Sequence, residues 1–141
     1  MAQFVAQNLV PVKVHVKEQR EAFRRFTAKW TPTLMIVDPD GKELFRTEGY
    51  LPPHDFLAQL MIGYGRALFL KNKPADAARV FGDVVARFAD TEFAPEAVYW
   101  EAVSHYRATA DHQFLDAVAK VLAEQYPNST WTKRASVWLG H

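Results

Sequence analysis

A stretch of sequence in the second half of this chain recurs near its end, and this repeat constrains the fold more than any other feature. The stretch begins as Phe-Ala-Asp-Thr-Glu-Phe at Phe88 and returns as Tyr-Pro-Asn-Ser-Thr-Trp at Tyr126. Two small and two aromatic residues keep the same interval: Ala97 with Ala135, and Trp100 with Trp138. Repetition at a fixed interval is typical of helical hairpins that stack and bury a shared core.

The residues around the repeat have the apolar spacing of amphipathic helices. This spacing predicts helices over residues 75–88, 94–110 and 114–126, and the start of a further unit over 132–139. An earlier helix is expected from Pro53 to about Leu70, because a proline in the first turn of a helix gives up no hydrogen bond. The chain from Pro53 onward is therefore predicted to be helical.

Residues 58–139 resemble the helical hairpins of the tetratricopeptide-repeat family. Small, aromatic and proline residues at five positions carry the resemblance: Gly65, Ala77, Phe81, Tyr106 and Pro127. The interval is a few residues longer than the usual repeat of that family, and three positions depart from its pattern: Val103, Leu115 and Ala119. The resemblance implies that the first helices of the hairpins present a concave groove.

The part of the chain before Pro52 has a different periodicity. Residues 10–16 place four valines on one face at period two, which predicts a strand with one buried face. Residues 18–30 predict a helix with one apolar side, made by Ala22, Phe23, Phe26 and Trp30. Residues 33–37 form a continuous apolar run, typical of a strand covered on both faces. A tight turn at residues 38–41 then leads to an edge strand at 43–49.

This order of elements, with Trp-Thr-Pro-Thr at residues 30–33, resembles the C-terminal portion of the thioredoxin family over residues 1–60. The resemblance implies that Pro32 is a cis-proline, preceded by Thr31. In redox-active relatives the backbone beside this proline docks the substrate peptide. The other interpretation is that the proline only shapes the entrance to the strand, and we favour it because the chain has no dithiol.

Cysteine is absent from the sequence, so this chain by itself cannot carry out thiol–disulfide exchange. The strand and helix that carry Cys-x-x-Cys in thioredoxins have no counterpart here, and residues 1–8 look like only the last turns of that helix. In the family the missing strand lies between those predicted at residues 10–16 and 33–37. Their edges are expected to close on each other or to accept a strand from elsewhere. We therefore predict a rearrangement or a homo-oligomer at this gap, such as a strand-swapped dimer.

Charge and motifs exclude several classes of function. Seventeen basic and sixteen acidic residues are interleaved without a basic cluster, so no nucleic-acid partner is expected. The apolar runs are too short for a bilayer and the N-terminus lacks a signal-peptide pattern, so we expect no membrane partner and a cytoplasmic location. The histidines lack metal-ligand spacing, and phosphate-loop and hydrolase motifs are absent. We expect no catalytic residue, no cofactor and no metal, and interpret His105 with Glu101 as a surface ion pair.

The candidate binding residues lie on the first helices of the predicted hairpins: Arg66, Phe69, Trp100, Ser104 and Arg107. An aromatic residue with arginines nearby is a suitable peptide-binding surface. Trp100 and Trp138 have a second interpretation, in which they pack between adjacent hairpins. We favour that interpretation for the tryptophans, which leaves Arg66 and Arg107 as the better candidates for contact with a peptide.

These patterns together predict an α/β plus α fold that is mostly helical. Residues 1–57 are expected to form a partial thioredoxin-like sheet of about three strands. Residues 58–141 are expected to form tetratricopeptide-like hairpins that share the Pro53 helix with it. The leading hypothesis is a redox-inactive module that binds a protein or peptide partner. The alternative is the C-terminal part of a thioredoxin-family disulfide oxidoreductase whose Cys-x-x-Cys segment lies upstream of this chain.

Overall fold

The computed structural model describes residues 1–15 and 17–140, and of Phe23 only the backbone. Within that range the helices are α1 (Ala2–Asn8), α2 (Arg20–Arg25), α3 (Pro53–Leu70), α4 (Pro74–Arg87), α5 (Ala94–Thr109), α6 (Gln113–Gln125) and α7 (Thr130–Ala135). The strands are β1 (Thr33–Val37) and β2 (Glu43–Glu48), and a 3-10 turn, Ser136–Trp138, follows α7. The long helices predicted from apolar spacing are confirmed to within one or two residues at each end.

Helix α3 packs against both parts of the molecule. Gly63 and Gly65 are two residues apart, so they face roughly opposite sides of the helix. A Cβ atom at Gly63 would overlap the ring of Phe45, and one at Gly65 would meet the ring of Phe81 at 2.8 Å. The two glycines therefore let β2 approach one side of α3 and α4 approach the other.

The helices that follow α3 form two layers. Helix α4 contacts α3 and α5, helix α6 contacts α5 and α7, and α5 also contacts α3 and α7. Helices α3, α5 and α7 therefore lie side by side, with α4 and α6 packed against them. The largest fully buried apolar side chains come from these helices: Phe81, Met61, Ile62, Leu122 and Val84.

The two copies of the sequence repeat form equivalent junctions between helices. Equivalent backbone N–H groups donate to equivalent carbonyl oxygens: Phe88 to Val84, Tyr126 to Leu122, Thr91 to Phe88, and Ser129 to Tyr126. Ala97 and Ala135, one turn into the following helices, have no exposed surface. The repeat in the sequence therefore corresponds to a repeated helix–turn–helix junction.

The sheet has two antiparallel strands. Thr33 pairs with Glu48 and Ile36 with Phe45, and a bulge follows Ile36. The tight turn predicted at residues 38–41 is confirmed, because Gly41 N–H donates to Asp38 O at 2.9 Å and Gly41 has a φ of 87°. The Asp38 carboxylate also accepts hydrogen bonds from two backbone N–H groups of the turn, and these bonds stabilise the connection between the strands.

The prediction of a third strand at residues 10–16 is wrong for the described residues. Residues 9–15 form no strand, and the side chains of Val10 and Val12 are 90% and 79% exposed. A strand requires a neighbour to pair with its backbone, and none lies beside this segment in the described chain. The last residue of the predicted strand, Val16, lies outside the described residues.

Two further expectations for this part of the chain are corrected. The helix predicted over residues 18–30 ends at Arg25, because Thr27 adopts a left-handed conformation with a φ of 54° that a right-handed helix cannot continue. Trp30 consequently lies outside the helix and is 66% exposed. Strand β1 is not covered on both faces, since Ile36 is its only buried residue.

Candidate functional site

Four of the five residues predicted to bind a peptide lie together on the layer formed by α3, α5 and α7. The ring centroids of Phe69 and Trp100 are 5.6 Å apart, in an edge-to-face arrangement. Cζ of Arg66 lies 5.2 Å from the centroid of the Trp100 ring, and Cζ of Arg107 lies 5.6 Å from that of Phe69. Each arginine thus crosses from its own helix to an aromatic ring on the neighbouring helix, at a distance typical of cation–π contacts.

Ser104 does not belong to the exposed part of this surface. Its side chain has no exposed surface, and its Oγ has no hydrogen-bond partner among the described residues. A small residue at this position of α5 is enclosed by the neighbouring helices. The expectation that Ser104 contacts a bound peptide is therefore corrected.

Two residues of α7 extend the surface and were not among the predicted site residues. Cζ of Arg134 lies 4.2 Å from the centroid of the Trp131 ring, and the Trp131 ring lies 6.1 Å from that of Trp100. The signal was present in the sequence. Trp131 repeats Phe93, and residues three apart on a helix are neighbours, which places Arg134 beside it. We name Arg66, Phe69, Trp100, Arg107, Trp131 and Arg134 the arginine–aromatic face.

The arginines of this face are not engaged by nearby carboxylates. Among the described residues, no carboxylate oxygen lies within 4.0 Å of Arg66, Arg107 or Arg134. Their guanidinium groups have aromatic rings as neighbours instead. An arginine stacked on a ring keeps the edges of its guanidinium available, and these edges carry the N–H donors that bind carboxylates in pairs.

Glu96, on α5, is an acidic group whose pKa is influenced by residues of this face. Burial raises the pKa of Glu96, and the positive charges of Arg66 and, more weakly, Arg134 act in the opposite direction. The indole N–H of Trp100 also favours the carboxylate, but it does not complete a hydrogen bond with it. The Glu96 carboxylate is therefore attracted by arginines of both α3 and α7, although none of its oxygens lies within 4.0 Å of either guanidinium.

The tryptophans pack between the hairpins. Trp100 contacts the core around Phe81, and the two rings stack with centroids 6.5 Å apart. Trp138 stacks on Tyr99 with ring centroids 5.4 Å apart, and it packs against the buried cluster that α5, α6 and α7 form around Leu122. Both side chains remain half-buried. This geometry agrees with the interpretation that the tryptophans are mainly structural, and it leaves exposed Arg107 and Arg134 and half-buried Arg66 as the arginines of the face.

Thr31 and Pro32 lie in the other part of the molecule. Their peptide bond is cis, which is the geometry that the resemblance implied, and both residues are exposed. A shallow apolar depression of about 240 Å³ lies beside Pro32 and is lined by Met1, Pro32, Gly49, Tyr50, Leu51, Pro53 and Phe56. None of these lining residues belongs to the arginine–aromatic face, so the two predicted sites are separate.

A further polar pair lies on α5. His105 Nε2 lies 3.8 Å from Glu101 Oε1, and the His105 ring stacks on Phe114 with centroids 4.8 Å apart. Burial raises the pKa of Glu101, while His105 opposes this. In the part of the chain that the structure describes, no group of three or more His, Asp or Glu residues could hold a metal ion. None of the described helices is long and apolar enough to cross a bilayer.

A comparison with protein families matches residues 2–61 to a model described as a thioredoxin-like domain. The matched range begins with α1, includes both strands and the cis-proline, and ends within α3. It covers less than half of the chain and stops before Arg66, the first residue of the arginine–aromatic face. No curated protein and no solved structure matches the chain. The first part of the chain is therefore thioredoxin-like, and the match does not extend beyond the first half of α3.

Proposed function

We propose that this chain, thioredoxin-like over residues 2–61, is a redox-inactive module that binds an acidic segment of a partner protein. The arginine–aromatic face is the binding surface. The observation that carries the proposal is that Arg66, Arg107 and Arg134 each stack on an aromatic ring and are not engaged by a carboxylate within 4.0 Å in the described chain.

The helical part supports this surface as a tetratricopeptide-like array. Helices α3, α5 and α7 are alternate helices of successive hairpins, and the sequence repeat gives equivalent junctions before α5 and α7. A flat or concave layer of equivalent helices from successive repeats presents side chains from several repeats to one extended ligand. Arg66, Arg107 and Arg134 come one from each helix of this layer, which matches a ligand that runs across the layer.

Stacking on an aromatic ring prepares an arginine for binding. The ring restricts the long side chain before the ligand arrives, so less conformational entropy is lost on binding. The guanidinium edge then offers paired N–H donors to a carboxylate, an arrangement that is stronger than a hydrogen bond between neutral groups. A protein segment with aspartate or glutamate and at least one apolar residue would use both the arginines and the half-buried rings.

The overall charge favours an acidic protein segment over a nucleic acid. The formal net charge is only +1, and the carboxylate of Glu96 is attracted by Arg66 and Arg134 of the face. A phosphate backbone is bound by a concentrated basic surface without interspersed carboxylates. An acidic peptide needs only a few correctly spaced arginines, and the face has three.

Charge reversal of Arg107 tests this proposal. The probe is a fluorescent peptide that alternates glutamate with leucine, compared by anisotropy with a peptide in which glutamine replaces glutamate. We expect Arg107→Glu to weaken binding of the acidic peptide by about tenfold or more, since a hydrogen bond to a charged group contributes about 1.5–3 kcal/mol. The melting temperature should stay within a few degrees, because Arg107 is exposed.

Arg87→Glu is the matched control. Arg87 is also exposed and also stacks on an aromatic ring, with its Cζ 5.3 Å from the centroid of Phe88, but it lies on α4 in the other layer. We expect this variant to bind the acidic peptide like the wild type. Equal losses in the two variants, or equal binding of the glutamine peptide and the acidic peptide, would contradict the proposal.

Cell fractionation tests a separate expectation, the cytoplasmic location expected from the sequence.

A second candidate function rests on the cis-proline. The Thr31–Pro32 bond lies within the thioredoxin-like range and borders the apolar depression. This arrangement suits the C-terminal part of a disulfide oxidoreductase whose Cys-x-x-Cys segment is encoded upstream. The genomic sequence before the first codon decides between the two. An in-frame extension that encodes Trp-Cys-x-x-Cys would replace the leading proposal, and a stop codon would support it.

A further inference from the structure

Strand β1 has one edge that no strand covers in the described residues. Gly49 N–H donates to Pro32 O at 2.8 Å, and the register pairs Thr33 with Glu48. Hydrogen-bonded pairs alternate along an antiparallel ladder, so Leu34 and Ile36 direct their backbone groups toward β2. The backbone N–H and C=O groups of Thr33, Met35 and Val37 consequently point to the opposite edge, where the two-stranded sheet ends.

The segment of residues 10–14 has the sequence of a strand but no partner in the described chain. Val10 and Val12 are 90% and 79% exposed, and Val14 is exposed as well. Pro11 has no N–H group, so it is tolerated in a strand only where that side faces solvent. If the backbone of the valines faces a neighbouring strand, Pro11 and Lys13 face outward. Proline and lysine on an outer edge prevent further pairing, so the segment fits an edge strand.

We propose that residues 10–14 of one copy of this chain pair with the open edge of β1 in a second copy, and that the second copy returns the same contact. The pairing is antiparallel, with Val12 opposite Met35, Val10 opposite Val37 and Val14 opposite Thr33. The backbone groups of all these residues then meet in closely spaced hydrogen-bonded pairs. Such an exchange is an isologous, two-fold contact that closes on itself.

Both ends of the segment are attached to the chain's own fold. Leu9 packs against the core around Ile36 and Leu60. On the other side, the carbonyls of Phe26 and Thr27, which follow α2, accept hydrogen bonds from the Arg46 guanidinium on β2. Between these attachments the valines project into solvent instead of closing onto the chain's own β1. A second copy supplies the edge that the segment does not reach in its own chain.

Area and charge both suit a second copy as the partner. Stable interfaces bury about 1,200–2,000 Å² in total, and the pairing of a single short strand is small against that figure. Reciprocal exchange doubles the buried area and removes two open edges and two exposed valine rows. Residues 9–17 contain Lys13 and Lys17 and no carboxylate, whereas the β1–β2 hairpin carries exposed carboxylates at Asp40, Glu43 and Glu48.

Engineered cysteines test the contact directly, because the chain has none of its own. Val12→Cys protein is mixed with Met35→Cys protein and oxidised. We expect a disulfide-linked dimer from the mixture and none from either variant alone. Lys13→Cys mixed with Met35→Cys is the control, because in this pairing the side chain of residue 13 lies on the opposite face of the sheet from that of Met35 and should not cross-link. Cross-linking of Met35→Cys with itself would show β1 pairing with β1 and would overturn the proposal.

The double variant Val12→Cys, Met35→Cys separates exchange from closure within one chain. We expect a covalent dimer on a denaturing gel, whereas a covalent monomer would mean that the segment pairs with its own β1. Light scattering of the wild type should give twice 16.1 kDa, and a monomer without any cross-link would also overturn the proposal. Val12→Pro removes an N–H group that faces β1 and should require at least about tenfold more protein to dimerise, while Lys13→Pro should dimerise like the wild type.

Discussion

The helical part of the molecule, from α3 onward, is closed on itself, whereas the part before α3 is open. Among the described residues, buried apolar side chains occur in every helix from α3 to α7, but Ile36 is the one such residue that precedes α3. In the first part, by contrast, valines and Trp30 are exposed, and β1 has an uncovered edge. The two parts meet at α3, where Gly63 faces β2 and Gly65 faces α4.

The difference follows from where each kind of element satisfies its backbone. A helix makes its hydrogen bonds within itself, so a hairpin of helices needs only an apolar side and a short connection. A strand makes its hydrogen bonds with another strand, which can come from anywhere in the chain or from another chain. The helical part therefore completes its core from local sequence, while a strand in the first part needs a neighbouring strand that its local sequence does not specify.

The largest expected effect compares the two cores by truncation. Phe81 has no exposed surface and lies between α3 and α5 in the main core, so Phe81→Ala should lower the free energy of unfolding by about 3–5 kcal/mol. Ile36→Ala should cost about 2 kcal/mol, at the low end for such truncations, because the surrounding sheet is open. Urea unfolding followed by circular dichroism measures both, and a larger loss for Ile36→Ala would reverse the comparison.

The sequence was more informative for the closed part than for the open part. Residues such as Ala77, Phe81 and Ala97 follow helical spacing, and the local pattern is enough to place them in a buried core. Residues 10–16 have an equally regular pattern, yet the described residues form no strand. The valine alternation indicates how the segment would pair but not whether a partner strand is present. Pairing depends on a distant neighbour, which the local pattern does not contain.

The same limit applies to the candidate site. Arg66, Phe69, Trp100 and Arg107 were predicted together because they occupy corresponding sides of helices that were predicted to be neighbours. Ser104 was predicted to be exposed but is buried. The helical period gives only the approximate direction of a side chain, and the packing of adjacent helices decides whether that side chain is exposed. Arg134 and Trp131 were missed because α7 is too short to show a face by its own apolar spacing, and only the repeat, which matches Trp131 to Phe93, indicates them.

Alanine at each glycine of α3 should disturb one part of the molecule at a time, the helical part at Gly65 and the sheet at Gly63. Gly65→Ala should lower the free energy of unfolding by about 1–3 kcal/mol, because the new Cβ would displace the fully buried Phe81 ring. Gly63→Ala would displace Phe45, which packs between the sheet and α3. Its effect should appear as faster amide hydrogen exchange in β1 and β2, with the exchange of α4 to α6 unchanged. Faster exchange in α5 or α6 on Gly63→Ala would show that the two parts unfold together.

A smaller effect is expected at the second junction of the repeat. Ser129 caps α7, since its Oγ accepts a hydrogen bond from Trp131 N–H at 3.1 Å. Ser129→Ala should therefore cost about 1 kcal/mol, visible as a lower melting temperature and as weaker tryptophan burial by fluorescence. Ser136→Ala is the matched control, because that hydroxyl is exposed and bonds only a carbonyl of its own helix end. A control loss as large as that of Ser129→Ala would remove the capping explanation.

The smallest expected effect concerns Glu96, and it tests whether the helical part buries this carboxyl group enough to make its charge destabilising. Burial raises the pKa of Glu96 while Arg66 opposes the rise, so the folded chain keeps this proton to a higher pH than the unfolded chain does. The contribution of Glu96 to stability therefore falls as the pH rises from the ordinary carboxyl pKa through the raised one. Glu96→Gln should match the wild type below that range and become the more stable protein at neutral pH, whereas exposed Glu124→Gln should show no such gain in stability.

If Glu96→Gln is instead less stable than the wild type at neutral pH, the attraction of Arg66 and Arg134 outweighs the cost of burial, and both arginines already interact with Glu96. That result would also weaken the assignment of these arginines to a partner's carboxylates, because a group that stabilises the fold by pairing them would compete with any acidic ligand.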